Sequence, residues 1–99
     1  MHEQTLRKLA SVLALINDYR EQNIGLRYLV DSLEGTILSL EERLPERFYT
    51  IWDKSWSQLE IALALEQESV YRNVIQQELS NLEILLLEIL PKQKDEPAD

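Results

Sequence analysis

His2 is the single histidine of this 99-residue chain, and cysteine is absent. That leaves almost no material for a histidine-based triad, a thiolate nucleophile or a His-containing zinc site. Di-iron sites in helix bundles pair glutamates with Glu-x-x-His motifs, and the chain has no such motif. Gly25 and Gly35 stand alone, so no glycine-rich loop is available to cradle a phosphate. Carboxylates are the abundant reactive groups. Glu41 and Glu42 are adjacent, but neighbours on a helix diverge by about 100°, a poor geometry for an acid–base pair. Glu78 falls among Tyr71, Ile75, Leu82 and Leu85. It reads as a boundary carboxylate that reaches solvent or hydrogen-bonds a tyrosine or tryptophan, with a buried functional acid as the alternative. A carboxylate enzyme built on Glu60 and Glu78 is the weakest reading. The expectation is a non-enzymatic protein with no metal and no cofactor.

Charge narrows the partners. Eighteen acids against ten bases give a formal net charge of −8. Duplex nucleic acid, itself a polyanion, is repelled by such a chain. Phe48, Trp52 and Trp56 follow one another at single helical turns. That spacing suits core packing better than a platform for stacking bases. Acidity is concentrated in the second half, where residues 57–91 hold six acids and only Arg72 as a base.

Four segments must position these side chains. Leu, Glu, Gln, Arg and Ala dominate, and all favour helix. The Asn23-Ile24-Gly25 turn stops the first segment, because Asn and Gly tolerate the positive φ that helix ends often need. Pro45 blocks the second and suits the first turn of the third. Ser69 is a candidate N-cap for the fourth, and Pro91 ends it. The reading is an all-α fold: an antiparallel up-and-down bundle of four helices at about 3–21, 26–43, 46–67 and 70–90. Residues 1–91 form one domain, and 92–99 a charged, frayed tail. Ser57-x-x-Glu60 has capping-box form and could split the third helix.

Helical spacing then assigns faces. Leu6, Leu9, Val12, Leu13, Leu15, Ile16 and Tyr19 share one stripe. Leu26, Leu29, Val30, Leu33, Ile37, Leu40 and Leu44 share another. Phe48, Trp52, Trp56, Leu59 and Leu63 align in the third segment. Tyr71, Val74, Ile75, Leu79, Leu82, Leu85, Leu86 and Ile89 align in the fourth. No apolar run approaches the ~20 residues that span a bilayer. Arg7 and Lys8 precede an apolar stretch at 9–16, but no small-residue cleavage pattern follows. The expected location is cytoplasmic, away from membranes.

The residues that break the pattern point to binding. Leu38 lies outside its stripe, amid Asp31, Glu34, Glu41 and Glu42. An apolar centre with an acidic rim suits a basic protein partner, the rim raising the encounter rate and the centre slowing departure. Arg27 is spaced to pair with Asp31. Ile61 and Leu65 lie away from the tryptophan face, and Ile84 and Leu87 lie opposite the core face of the fourth segment. Those four are candidates for a homodimer interface.

The run Tyr19-Arg20, Ile24-x-Leu26, Leu29-Val30, Leu33-Glu34, with Phe48-x-x-x-Trp52 and Leu59-Glu60, resembles small all-helical bacterial proteins over residues 19–64. Some of those are encoded beside toxins and are regarded as candidate immunity proteins. The resemblance implies a protein that neutralises a toxin, and it carries no catalytic residue over; the acidic surface suits a basic toxin or effector whose site it would occlude. The alternative from the residues themselves is a self-associating structural, adaptor or secretion-chaperone protein.

Overall fold

The computed structural model describes residues 2–90, so the stop at Pro91 and the tail at 92–99 lie outside the described residues. Four helices form: α1 Glu3–Arg20, α2 Leu26–Leu38, α3 Glu46–Ala64 and α4 Arg72–Ile89. No strand occurs among the described residues. Contacts run α1 to α2, α2 to α3, α3 to α4 and α4 back to α1, which closes a ring of four.

Polar bonds between helices show the up-and-down sense. Lys8 near the start of α1 donates to the Ser39 carbonyl at the end of α2, at 2.8 Å. Trp56 donates its indole N–H to the Val30 carbonyl, 3.2 Å away, joining α3 to α2. Ser55 meets Glu78 at 2.8 Å and Arg47 meets Glu88 at 3.3 Å, so α3 and α4 run antiparallel. Arg20 at the end of α1 grips α4 through Gln76, Ser80 and Glu83, at 3.1, 3.2 and 2.6 Å.

The ring encloses one core. Leu9, Val12 and Ile16 of α1 meet Leu29 and Leu33 of α2, Trp52 and Leu59 of α3, and Leu79, Leu82 and Leu86 of α4, all fully buried. Phe48 stacks on Trp52 with ring centroids 5.4 Å apart. Burying side chains of this size contributes roughly 1.5–3 kcal/mol each, which offsets the entropy lost on ordering. Val74, expected in the core, is exposed instead.

The helix ends depart from the sequence reading in physically informative ways. The left-handed residue that closes α1 is Gln22, at φ 63°, whereas Gly25 keeps an ordinary negative φ as the N-cap of α2. Asn23 and Gln22 return their N–H groups to the carbonyls of Asp18 and Tyr19, a Schellman closure. Glu66, at φ 53°, closes α3 the same way three residues before the expected end. α3 runs unbroken through Ser57. Ser69 caps nothing, and α4 starts at Arg72.

α2 ends at Leu38, not near Arg43. Ser39 turns its N–H back to Gly35 and Thr36 and its hydroxyl to the Thr36 carbonyl, while Lys8 takes the Ser39 carbonyl. Pro45 holds the preceding residue out of the helical region. The non-helical chain between Ser39 and Pro45 seats Leu44 in the core, and the Tyr49 hydroxyl accepts the Leu44 N–H at 3.1 Å. A helix continued to Arg43 would forfeit that seat.

Candidate protein-docking surfaces

The outer side of α2 is shaped by its core side. With Leu26, Leu29, Val30 and Leu33 buried, the 3.6-residue period turns Asp31, Glu34, Gly35 and Leu38 outward. Leu38 is 76% exposed. Asp31, Glu34 and Glu41 form no ion pair among the described residues, and the expected Arg27–Asp31 pair is not made. Tyr28 stands exposed on the flank of this face. Gly35 is open as well: a Cβ built there would meet nothing within 4 Å. A mid-helix glycine costs about 1 kcal/mol relative to alanine, and neither packing nor backbone geometry requires it here. Neither Tyr28 nor Gly35 was singled out from the sequence. An interior helical glycine without a packing neighbour is recognisable only once the helix has been placed.

Glu41 and Glu42 do not belong to that helical face, because α2 has already ended. Glu42 turns back to α1 and accepts the His2 backbone N–H at 2.6 Å, beside the Thr5 hydroxyl. It occupies the positive end of the α1 dipole, where a carboxylate is favoured. These donors, the His2 amide first and then Thr5, hold the Glu42 carboxyl below its ordinary value of 4.5. Glu42 is therefore a brace for α1 rather than part of the acidic rim.

A pH prediction follows. A carboxyl lowered in the folded state adds stability above its unfolded pKa, and that stability is lost as pH falls through the folded value. Wild-type protein should melt above the Glu42→Gln variant at pH 7. The gap should shrink once pH drops below the usual glutamate range and close in stronger acid. Melting curves recorded from pH 7 to 3 check this, and a gap independent of pH refutes it.

α3 and α4 present a second surface. Ile61, Leu65, Ile84 and Leu87 are all exposed, as are Val70 and Val74. The antiparallel register separates them: Ile61 and Leu65 lie near the start of α4, whereas Ile84 and Leu87 lie near the start of α3. An open groove of about 310 Å³ runs between the helices at the latter end, lined by Ile51, Ile84 and Leu85 with Arg47, Lys54 and Glu88 at its edges. Leu87 does not line the groove, because helical rotation turns it toward the α1 side of α4.

Beneath the groove lies Glu78, which is 8% exposed. Its Oε1 accepts the Ser55 hydroxyl at 2.8 Å and the Asn81 side-chain N–H at 3.1 Å. The carboxylate is thus buried rather than at the boundary, and its partners are serine and asparagine rather than tyrosine or tryptophan. Spacing alone does not reveal this, because Ser55 and Glu78 are 23 residues apart.

A second recess, about 700 Å³, lies at the opposite end of the bundle around Tyr19, Arg20, Glu68, Arg72 and Gln76. Many of its polar groups bond one another. The Tyr19 hydroxyl donates to Glu68, and burial first, then Glu68, pushes the phenol well above its ordinary range. Arg20 spends its guanidinium on α4. These groups tie α1 to α4 and to the connection that precedes it. No cluster of three or more His, Cys, Asp or Glu side chains suited to a metal occurs among the described residues. No helix among them is long and apolar enough to cross a membrane.

No protein-family model, curated protein or solved structure matches the chain. The fold itself defines an all-α four-helix bundle.

Proposed function

We propose that the protein is a non-enzymatic binding module. It captures a basic protein partner through the outer face of α2 and neutralises that partner by occlusion, in the manner of an immunity protein against a toxin. The supporting observation is the exposed Leu38 on that face beside the carboxylates of Asp31 and Glu34, with Glu41 in the connection that follows; none of the three acids forms an ion pair among the described residues. Acids that pair with no described cation keep their field for a partner, and long-range attraction of this kind accelerates encounter. Leu38 supplies an apolar contact at the centre. The bare backbone at Gly35 lets a partner approach more closely than any side chain would allow. Cytoplasm is the compartment this reading assigns.

Immobilised protein exposed to lysate of its native cell provides the test, with retained proteins identified by mass spectrometry. A basic protein should be retained, and its retention should fall as salt rises. Asp31→Lys with Glu34→Lys should abolish retention. Gly35→Ala should raise folding stability by about 1 kcal/mol yet weaken capture. Retention that ignores both salt and the charge reversals refutes the assignment.

A further inference from the structure

We propose that the outer face of α3 and α4 is a homodimer interface, with two copies related by a two-fold axis that runs along the helices. This proposal is independent of the α2 surface.

Spacing is the first observation. From Arg47 through Ile51, Lys54, Gln58 and Ile61 to Leu65, the steps alternate four, three, four, three, four. The same alternation runs backward along α4 from Glu88 through Ile84, Asn81 and Gln77 to Val74, and the exposed Val70 precedes the helix. Such a stripe keeps one line along a helix facing a partner helix. Both helices already have a separate, buried core face. The two stripes flank the same side of the α3–α4 pair, because residues of both line the groove there.

Register is the second. The bonds Arg47–Glu88 and Ser55–Glu78 set the relative height of the two helices. At that height, Ile51 is level with Ile84 and Ile61 with Val74, while Leu65 and Val70 stand in the connection between the two helices. Gln58 is level with Gln77. A two-fold axis along the helices lays α3 of one copy over α4 of the other at unchanged height. Ile51 then meets Ile84, Ile61 meets Val74, Gln58 meets Gln77, Lys54 meets the Asn81 amide, and Arg47 meets Glu88, each across the two copies. An interface between identical chains requires this self-complementarity.

Charge is the third. Two copies at −8 each repel. A contact between them has to be free of unbalanced carboxylates. Along both stripes the single carboxylate is Glu88, and Arg47 already balances it. A basic partner would be poorly served by this face, whose one remaining charge is Lys54.

Sedimentation equilibrium and light scattering from micromolar to millimolar protein test the proposal. Wild type should reach twice the chain mass. Ile61→Lys and Ile84→Lys sit at exposed positions, so helical circular dichroism should be retained while the dimer weakens at least about tenfold. Arg47→Glu alone and Glu88→Arg alone should each weaken self-association, and mixing those two variants should restore a dimer of one copy of each. Asp31→Lys with Glu34→Lys should leave the mass unchanged. A wild type that stays monomeric at millimolar concentration overturns the proposal. So does a dimer indifferent to both lysines, or a mixture that fails to pair.

Discussion

Trp52→Ala is expected to lower the unfolding free energy by about 3–5 kcal/mol, the usual range for removing a buried aromatic. Trp52 is fully buried, stacks on Phe48 and belongs to the single core shared by all four helices. Truncation leaves a cavity that rigid neighbours fill only in part. A bundle of this size holds about 5–15 kcal/mol in total, so the variant should stand near its unfolding threshold. Urea denaturation followed by circular dichroism measures the change. Trp56→Phe is the contrasting control. Trp56 is half-buried and offers the Val30 carbonyl one hydrogen bond, so its loss should cost about 1 kcal/mol. Equal losses at the two positions would contradict the assignment of Trp52 as the central packing residue.

The buried Ser55–Glu78 contact should show the second large effect. Ser55→Val removes the shorter of the two hydrogen bonds made to Glu78 Oε1. A buried polar group deprived of its donor costs about 1–3 kcal/mol, and more when charged. Glu78→Leu should also destabilise, because it strands the Ser55 hydroxyl. The double variant replaces both partners with apolar groups and should recover most of the loss. A double-mutant cycle should therefore give a coupling of about 1–3 kcal/mol. Strictly additive losses would show that the two groups do not depend on each other. The cycle also bears on the groove above, since Ser55 and Asn81 line it and Glu78 holds both in place.

Much of the architecture was legible from spacing. The stripe Leu26, Leu29, Val30 and Leu33 is buried as the helical period requires, and so are Phe48, Trp52 and Leu59. Leu44 is instructive, because it is buried as expected but reaches the core from a non-helical connection. Apolar character put it inside, whereas the end of α2 decided how it arrived. Val74 shows the converse, since its place in the helical stripe did not keep it in the core. On the binding side, the exposure of Leu38, Ile61, Leu65, Ile84 and Leu87 agrees with their off-stripe positions. Grouping them did not succeed from the wheel alone. A wheel shows direction but not height, and the α3–α4 register places Ile61 and Leu65 about three to four helical turns along from Ile84.

Composition and period by themselves determined that this chain forms four amphipathic helices, which faces turn inward and which leucines and isoleucines remain outside. Those outcomes depend on side-chain transfer from water and on a 3.6-residue repeat, both local properties. The tertiary structure decided the rest: where α2 and α3 stop, that Glu42 braces α1, that Glu78 sits on Ser55, and which exposed residues share a height. These depend on distances between segments far apart in the chain, such as the 40 residues between His2 and Glu42. No local period encodes them, because a hydrogen bond forms only after packing has brought donor and acceptor together.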